Sequence, residues 1–292
     1  MRVMPPVPTI ARTCAVVVLF HPDADFGARL QAVLMQFPLV VLVDNTPGGA
    51  VLPDMPVSVQ VLRNGRNLGI AAALNRGIDL AIDRGCEWVA TFDQDSELLP
   101  GYLERVVAVA ARRAPKPVLV GCNYRRDRGT APVHAAPADA TDAWPRRTLI
   151  TSGTFMPARF AREIGGFRED YFIDSVDHEF CLRARRHGAD VLLTVEPFMR
   201  HRMGKSGIDL FGVRISFQHP ATRRYYLARN ALLTIRGQGS RYPLWALRQI
   251  GRLAGEGFAI VFLESGKGPK LRAFARGLWH GLIGRSGPLE DA

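Results

Sequence analysis

The chain has 292 residues, of which 47% are hydrophobic and 22% are charged, so it can bury a large core and lacks the composition of a disordered protein. Its net charge of +11 is uneven: residues 1–199 hold 22 Lys and Arg against 22 Asp and Glu, whereas residues 200–292 hold 16 against 5. The apolar run near the N-terminus is short and interrupted by prolines, and no window approaches the roughly 20 apolar residues of a spanning helix. We therefore expect neither a signal peptide nor a transmembrane segment.

The four cysteines lie in apolar or helical stretches and show no C-x-x-C spacing. This pattern predicts reduced thiols in the core, and it indicates neither a disulfide framework nor a zinc site. The residues are Cys14, Cys86, Cys122 and Cys181.

Short β-branched runs alternate with helical patterns in the first half of the chain. The runs, which predict buried parallel strands, are 14–20, 40–44, 57–62 and 88–92. Apolar residues recur at helical spacing between the first two runs and between the last two, which predicts crossover helices. The βαβαβ order predicts an α/β fold with a doubly wound, mostly parallel sheet. Because Asp44 and Asp93 stand at strand ends, we expect both at the ligand-binding edge of that sheet.

Two polar stretches interrupt the pattern further along the chain. Residues 123–147 lack periodicity, and we predict a mobile loop there; residues 202–220 are rich in glycine and charge, as lids often are. Around these stretches we predict ordered elements at 102–111, 118–122, 149–156, from 158, and at 175–187.

The basic tail is predicted to form helices at 221–236, 243–263 and 269–283. In the last of these, Leu271, Phe274, Leu278, Trp279 and Leu282 make an apolar stripe with basic residues beside it, a pattern typical of an interfacial helix. A helix that packs on its own domain and exposes a basic face gives the same pattern. The positive charge suits anionic lipid head groups, a diphosphate-linked substrate or nucleic acid.

One apolar run ends in two carboxylates separated by a single residue, Asp93 and Asp95. A hard divalent cation on a diphosphate needs oxygen ligands and open positions for phosphate oxygens, so one or two carboxylates suffice. Taken alone, acids after a strand are more often turn formers. The pattern is therefore a candidate metal site that needs further support.

A second group of acids, Asp177 and Glu179, begins an amphipathic helix. The helix dipole favours acids in a first turn in any protein, whereas a functional interpretation makes Asp177 a general base. His201 follows a proline turn and is a candidate third metal ligand, although a lone histidine is more often structural.

The order of these features resembles that of family 2 glycosyltransferases with the GT-A fold, and more narrowly that of bacterial rhamnosyltransferases that use dTDP-L-rhamnose. The resemblance covers most of the chain, and the joint spacing of its motifs is specific although each motif alone is not. The motifs are Val18-Leu19-Phe20-His21-Pro22, Val43-Asp44-Asn45, Asn64-Gly65-Arg66-Asn67-Leu68-Gly69-Ile70-Ala71, Phe92-Asp93-Gln94-Asp95-Ser96, Ser152-Gly153, Gly165-Gly166-Phe167, Asp177-His178-Glu179-Phe180-Cys181-Leu182-Arg183 and His201.

The resemblance implies a role for each matching residue. The residues implied to bind the nucleotide sugar are Phe20, His21, Asp44, Asn45, Asn67, Gly69, Asp93 and Gln94. Asp93, Asp95 and His201 would hold Mg²⁺ or Mn²⁺, Asp177 would be the catalytic base, and Ser152, Gly153 and Glu179 would contact acceptor or sugar. Apart from the resemblance, Arg202 and Lys205 are candidate phosphate contacts if the 202–220 loop closes, although a solvated flexible loop explains them equally well. Many relatives carry an acid immediately before the base, where this chain has Val176, so Glu179 stays open as the alternative base.

The resemblance also implies the reaction and its setting. A base opposite the leaving dTDP permits direct displacement, so we expect an inverting transfer of L-rhamnose to a hydroxyl of a cell-surface polysaccharide such as O-antigen, or of a lipid-linked glycan. Another nucleotide-sugar donor stays open, because no residue identifies the sugar. We expect a catalytic domain over 1–220, with a nucleotide-binding half at 1–122 and an acceptor half at 148–220, and a basic helical region over 221–292. The protein is expected to be cytoplasmic and peripheral at the inner face of the cell membrane, with residues 243–285 on the anionic lipid.

The sequence disfavours three alternative functions. A nucleotidyltransferase is disfavoured because the first strand is followed by Phe20-His21-Pro22-Asp23 and not by a glycine-rich phosphate loop with a lysine. A dinucleotide-dependent oxidoreductase is disfavoured because the same turn lacks G-x-G-x-x-G. A nucleic-acid-binding module predicts basic residues interleaved with aromatic ones on a reader fold, and no such motif occurs. We therefore expect no nucleic-acid partner.

Overall fold

A computed structural model of the chain describes residues 4–126, 129–201, 208–210, 213–216 and 218–289, and for residues 201, 208–210 and 213–216 it describes the backbone alone. The chain divides into two compact units. Unit 1 comprises residues 1–167 and 180–203, and unit 2 comprises residues 168–179 and 204–292. The polypeptide therefore passes from unit 1 into unit 2 and back again before it enters the C-terminal helices.

Parallel strands form the first part of the sheet in unit 1. The elements are β1 (Thr13–Leu19), α1 (Phe26–Leu34), β2 (Val40–Asp44), β3 (Val59–Arg63), α2 (Ile70–Asp83) and β4 (Trp88–Asp93). The strands lie in the order β3-β2-β1-β4, and every residue of β1 and β2 is buried, as expected for parallel strands covered on both faces. The four predicted strands and the two predicted crossover helices are confirmed, but their order is βαββαβ and not βαβαβ, because no helix lies between β2 and β3.

Strands of both directions extend this sheet beyond β4. The further elements are β5 (Ser96–Leu98), α3 (Tyr102–Ala111), β6 (Val118–Arg126), β7 (Ala143–Pro145), β8 (Thr154–Pro157), α4 (Ala158–Glu163), α5 (Val176–Arg186) and β9 (Asp190–His201). The order continues β4-β8-β6-β9-β5, and β7 pairs with β9. Strand β8 is antiparallel to both β4 and β6, whereas β6 and β9 are parallel. The predicted α/β fold is confirmed, and the second half of its sheet is mixed.

Two strands lie inside the stretch 123–147, which lacks sequence periodicity. Strand β6 continues to Arg126, and β7 lies near the end of the stretch. The register of β6 against β9 shifts around Asn123, and such a bulge breaks the alternation of strand residues. Asn123 is fully buried there, and its Nδ2 donates to the backbone oxygen of His134 (2.8 Å). The prediction of a loop is wrong for these strand residues, because a buried polar side chain in a bulge hides the strand pattern.

Stacked aromatic rings and a close contact between helix and sheet form part of the core of unit 1. Trp88 and Phe155 stack with ring centroids 4.9 Å apart. Helix α2 approaches the sheet closely at Gly77, where an added Cβ would lie 2.3 Å from Cγ1 of Val16. Because β3 ends just before residue 64 and α2 begins at Ile70, the loop between them lies at the carboxyl edge of the strands.

A short β-ribbon and three helices form unit 2. The elements are β10 (Ile208–Leu210), β11 (Val213–Ser216), α6 (Ala221–Gln238), α7 (Pro243–Phe262) and α8 (Lys267–Ile283). Helices α6 and α8 touch at Gly277, where an added Cβ would lie 2.4 Å from the backbone oxygen of Tyr225, and Phe274 packs with Leu227 in the helical core. The three predicted helices are confirmed, and the inner part of the α8 stripe packs on its own unit. None of the helices in the described ranges is long and apolar enough to cross a bilayer.

Candidate functional site

Three neighbouring parallel strands end side by side at one edge of unit 1. The register pairs Val18 of β1 with Asp93 of β4, and Leu19 of β1 with Asp44 of β2. The residues just beyond these strands therefore lie close together, and Asp44 and Asp93 share the edge, as their positions at strand ends predict.

The side chain of Gln94 joins the ends of β1 and β4. Its Oε1 accepts from the N–H of Phe20 (2.8 Å), and its Nε2 donates to the backbone oxygen of Phe20 (2.9 Å). His21 has a φ of 48°, and its N–H donates to Oγ1 of Thr46 (3.0 Å). The rings of Phe20 and His21 lie edge to face with centroids 4.5 Å apart, and both are exposed. These two rings form an aromatic surface beside the turn that follows β4.

Asp44 is fully buried beside these exposed rings. Its Oδ1 accepts from the N–H of Thr46 (2.9 Å), and its Oδ2 accepts from the N–H of Ala50 (2.7 Å) and from Nη1 of Arg63 (3.0 Å). Burial pushes the pKa of Asp44 upward, but these hydrogen bonds and the charge of Arg63 outweigh it, so the pKa is lowered. The carboxylate is therefore ionised at neutral pH and holds the loop that follows β2.

Asn45, Asn67 and Gly69 form a hydrogen-bonded group next to Asp44. Nδ2 of Asn45 donates to the backbone oxygen of Gly69 (3.0 Å), and its Oδ1 accepts from Nδ2 of Asn64 (2.6 Å). Oδ1 of Asn67 accepts from the N–H of Gly69 (2.9 Å). Gly69 has a φ of 83°, a conformation that favours glycine, and α2 begins directly after it. The structure thus brings together the polar residues that the family resemblance assigns to the donor pocket.

The turn that carries Asp93 and Asp95 is fixed by Arg29 of α1. Arg29 is only 7% exposed, and its Nε donates to the backbone oxygen of Gln94 (2.8 Å) while its Nη2 donates to Oδ1 of Asp23. Hydrogen bonds from a charged group are stronger than neutral ones, so this contact restrains the turn. Sequence reasoning missed Arg29, because one arginine in an amphipathic helix carries no motif.

Ser152 and Gly153 lie buried beneath the same turn. Oγ of Ser152 accepts from the N–H of Asp93 (3.1 Å) and lies 2.7 Å from Oγ of Ser96. Gly153 has a φ of 75°, and an added Cβ would lie 3.0 Å from Cβ of Cys122. Both residues therefore occupy positions that fix the end of β4, and their predicted contact with acceptor or sugar stays a prediction.

The predicted metal ligands lie along one turn and one strand end. Asp93 and Asp95 are half-buried, and the backbone of His201 lies opposite Ser96 in the pairing of β5 with β9. For His201 the structure describes the backbone alone. Among the side chains that it does describe, no group of three His, Cys, Asp or Glu residues could hold a metal ion. Two carboxylates on one turn nevertheless fit a hard divalent cation, because they leave positions for diphosphate oxygens. The predicted phosphate contacts Arg202 and Lys205 lie outside the described residues.

A cleft of about 360 Å³ adjoins this turn. Glu97 and Arg200 lie 3.8 Å apart in its wall, so the lining carries both signs of charge. The lining residues are Asp25, Ala28, Arg29, Ala32, Asp95, Glu97 and Arg200. Asp95 is therefore reachable by a polar ligand.

The second predicted group of acids belongs to unit 2, at the start of α5. Asp177 is half-buried, whereas Glu179 is 4% exposed. A further acid, Asp174, was missed from the sequence because it precedes the helix. Burial raises the pKa of Asp174, the ion pair with Arg223 (3.2 Å) opposes that rise, and the charge of Asp177 adds to it. Asp174 and Asp177 are thus close enough to influence each other electrostatically.

The segment that leads into α5 has a strained backbone. Three of its residues have φ values between 60° and 65°, namely Phe172, Asp174 and Ser175. Such a conformation costs on the order of 1–3 kcal/mol for each non-glycine residue. Asn230 of α6, fully buried, donates from Nδ2 to the backbone oxygens of Tyr171 (2.9 Å), Ile173 (2.7 Å) and Asp174 (3.0 Å). Asn230 therefore holds the segment that carries the candidate base, and it too was missed because its partners are 56 to 59 residues away.

Comparison with known proteins tests the family resemblance of the sequence. Residues 41–164, which run from β2 to just beyond α4, match the model of glycosyl transferase family 2. The chain is a glycosyltransferase, and its match to family 2 covers 124 of its 292 residues. Over 238 aligned residues the glycosyltransferase is 29% identical to the dTDP-rhamnosyl transferase RfbF of Shigella flexneri. The alignment covers 76% of this chain and 79% of that protein. The resemblance to rhamnosyltransferases of this family is confirmed.

Two solved structures share the fold at low sequence identity. The structure of S. aureus TarS 1–349 in complex with UDP-GlcNAc has a TM-score of 0.59 at 12% identity, over 91% of this chain and 81% of that chain. GalNAc-T7 with UDP, GalNAc and Mn²⁺ has a TM-score of 0.56 at 13% identity, over 78% of this chain and 48% of that chain. The glycosyltransferase thus spans about half of the GalNAc-T7 chain, and the likeness establishes a fold of the GT-A type.

Proposed function

We propose that the glycosyltransferase moves L-rhamnose from dTDP-L-rhamnose, with inversion, onto a hydroxyl of a cell-surface polysaccharide or lipid-linked glycan. The observation that carries the proposal is the assembly of the Phe20 and His21 rings, the Asn45 group and the Asp93-Gln94-Asp95 turn at one edge of the sheet. A nucleotide diphosphate needs an apolar surface for its base and a cation site for its phosphates, and the exposed rings and the two carboxylates of this edge are proposed to supply them. The identity to a dTDP-rhamnosyl transferase supports the choice of donor.

The aromatic rings and the neighbouring amides are proposed to contact different parts of the donor. Phe20 and His21 would contact the thymine base, and Asn45 and Asn67 would shape the pocket for the ribose. Because these amides are already fixed by hydrogen bonds, little conformational entropy is lost when the donor binds. The Mn²⁺ and UDP named with the GalNAc-T7 structure support the analogous use of a cation here.

Asp93 and Asp95 are proposed to hold Mg²⁺ or Mn²⁺, with His201 as a third ligand. The bound cation would neutralise charge on the departing diphosphate. Arg29 and Ser152 hold the turn through hydrogen bonds to its backbone. This preorganisation is the contribution of the protein to the metal site.

Asp177 is proposed to accept the proton of the acceptor hydroxyl. The acceptor oxygen then forms a bond to the anomeric carbon while the bond from that carbon to the diphosphate oxygen breaks, and dTDP leaves. Because the nucleophile attacks opposite the leaving group, a β-linked donor gives an α-linked product. Asp177 is favoured over Glu179 because it is half-buried and reachable, whereas Glu179 is almost fully enclosed.

Donor binding tests the proposal most directly. Calorimetry compares dTDP-L-rhamnose, UDP-GlcNAc and UDP-GalNAc, each with and without Mn²⁺. Of the three donors, only dTDP-L-rhamnose should bind tightly, and it should do so only when Mn²⁺ is present. Asp93→Asn and Asp95→Asn should each weaken that binding by about ten-fold or more, equivalent to about 1.4 kcal/mol.

A matched control is Asp83→Asn, an exposed acid at the far end of α2, which should bind donor like the parent protein. Preference for a UDP-sugar would replace the proposed donor, and unchanged cation-dependent affinity in both turn variants would remove the metal site from this turn. The anomeric configuration of the product, read by NMR, tests the inversion separately.

A further inference from the structure

Helix α7 exposes a continuous apolar face. Leu247, Phe258 and Phe262 are 65%, 57% and 64% exposed, and they recur at a spacing that keeps them on one side of the helix. Small residues lie between them on the same side, so no charge interrupts the face. Its exposed members are Leu244, Leu247, Ile250, Gly251, Ala254, Gly255, Phe258, Val261 and Phe262.

The opposite side of α7 is packed inside unit 2, which fixes the direction of the exposed face. Trp245, Leu253 and Ile260 are buried, and Leu253 and Ile260 belong to the core that α6 and α8 complete. Glu256, the acid within α7, pairs with the fully buried Arg224. The helix therefore cannot turn its apolar face inward without breaking a buried ion pair, and breaking such a pair is strongly destabilising.

The surface around this face is positively charged. Between residues 221 and 289 the sequence contains two acids, Glu256 and Glu264. Glu264 is enclosed between Arg224 and Lys270, so both acids are used inside the unit. The cations that stay exposed in the described part of this region include Arg236, Arg241, Arg248, Arg252, Lys267, Arg272, Arg276 and Arg285.

We infer that α7 lies in the surface of an anionic phospholipid bilayer, with its apolar face among the acyl chains. An exposed apolar helix face bordered by arginines and free of acids is complementary to negative head groups over hydrocarbon. Arg248 and Arg252 flank the face, where long side chains reach the head groups while their stems stay in apolar surroundings. A second copy of the chain is a poorer occupant, because it would bring the same positive charge to the interface.

This inference narrows the predicted anchor, residues 243–285, to α7. The sequence pattern indicated the stripe of α8, but Phe274 of that stripe is buried against α6 and α7. Helix α8 therefore uses Leu271, Phe274 and Leu278 of its stripe for packing and leaves Trp279 and Leu282 exposed at one end, whereas α7 keeps a whole face exposed. Membrane binding is accordingly expected to depend chiefly on α7, and it does not depend on which donor the enzyme uses.

Vesicle sedimentation tests the inference with the full chain and no nucleotide sugar. The protein should pellet with vesicles of mixed phosphatidylglycerol and phosphatidylcholine and stay in solution with pure phosphatidylcholine, and salt well above about 0.1 M should weaken the binding. The double variant L247Q/F258Q should bind anionic vesicles at least about ten-fold more weakly. The double variant M35Q/V57Q removes two exposed apolar side chains from unit 1 and should bind like the parent.

A fluorescent probe then tests whether the face enters the bilayer. All four native cysteines are buried, so a new cysteine on the surface can be labelled selectively. A polarity-sensitive dye at Phe258→Cys should shift to shorter wavelength with anionic vesicles and be quenched by spin-labelled acyl chains, whereas the dye at Ser240→Cys should not.

Two results would overturn the inference. The first is unchanged vesicle binding by L247Q/F258Q, with an unchanged circular dichroism spectrum and thermal midpoint to show that it is folded. The second is a combination of two observations: the parent protein does not bind anionic vesicles, and light scattering without lipid shows it as a dimer whereas L247Q/F258Q is a monomer. That combination would assign the face to a second copy of the chain. Neither result bears on donor binding, so failure here is distinct from failure of the proposed reaction.

Discussion

At the scale of single residues, the carboxyl groups at the start of α5 differ in their surroundings. Asp177 is half-buried and Glu179 is nearly enclosed. Asp174 is engaged by Arg223, and burial together with the charge of Asp177 raises its pKa. Because carboxylates in different surroundings take different roles, we assign proton transfer to Asp177 and support of the loop to Asp174.

Asp177→Asn is predicted to abolish transfer while donor binding persists. The amide keeps the shape of the side chain but cannot accept the proton, so kcat should fall by roughly 10²–10⁴-fold, the usual contribution of a general base. Initial rates of dTDP release in the presence of acceptor, with calorimetry for donor affinity, measure the two properties separately.

Glu179→Gln and Asp174→Asn are the comparison variants. Asp174→Asn should lower kcat less, because an amide can still accept a hydrogen bond from Arg223. Near-normal turnover by Asp177→Asn with little turnover by Glu179→Gln would move the base to Glu179.

At the scale of secondary-structure elements, α6 supports the segment before α5 from a distance in sequence. Asn230 donates to three backbone oxygens of that segment. The neighbouring Arg229, also fully buried, donates from Nη2 to the backbone oxygen of Asp170 (2.9 Å) and lies over the ring of Tyr226. The helix therefore holds residues 170–174 in a conformation that is unfavourable for an isolated chain.

Asn230→Ala is predicted to lower kcat at least about ten-fold with little change in the KM for donor. Loss of the amide leaves buried carbonyls without a donor, at a cost of roughly 1–3 kcal/mol, and releases the strain of the segment that carries Asp177. Rates over a range of donor concentrations and limited proteolysis within 168–179 report the two consequences. Thr222→Ala, at an exposed position of α6, is the control, and a variant that is resistant to proteolysis and fully active would refute the role of Asn230.

The elements themselves were largely predictable, whereas their non-local pairings were not. Buried parallel strands and amphipathic helices have strong local periodicity, and the predicted α3 and the ends of β2 agree with the structure. The extension of β6 and the short β7 are defined by pairing with β9, which no local pattern reveals.

The same distinction separates the site residues. Asp93 and Asp95 stand out because a strand ends at them. Arg29 and Asn230 act through hydrogen bonds to backbone far away in the sequence, and such partners cannot be read from residue type or spacing.

At the scale of the whole molecule, the positive charge is concentrated in residues 200–292, and His219 and His280 lie within that stretch. Burial lowers the pKa of His219, and the charges of Arg223 and Arg224 add to the effect, to a value of about 4. Burial and the charges of Arg285, Arg276 and Arg229 also lower the pKa of His280. Both histidines are therefore neutral in the folded protein at pH 7.

Acid is therefore predicted to destabilise the protein before its carboxylates titrate. Near pH 7 His219 is neutral in both folded and unfolded states, but as pH falls below about 6.5 the unfolded chain takes up the proton first. Stability is thus lost between about pH 6.5 and the folded pKa of about 4. Below that range Asp44, whose pKa is lowered, adds to the loss. Asp174, whose pKa is raised above the ordinary carboxyl value, takes up its proton in the folded state first and so opposes the loss between its folded pKa and that ordinary value.

The midpoint of thermal unfolding, followed by circular dichroism, should therefore fall steadily from pH 6.5 to pH 4.5. His219→Gln should make that decline shallower, because a glutamine takes up no proton in the unfolded state, and His21→Gln at an exposed position is the matched control. Equal declines for the parent and both variants would show that His219 is protonated equally in the folded and unfolded states.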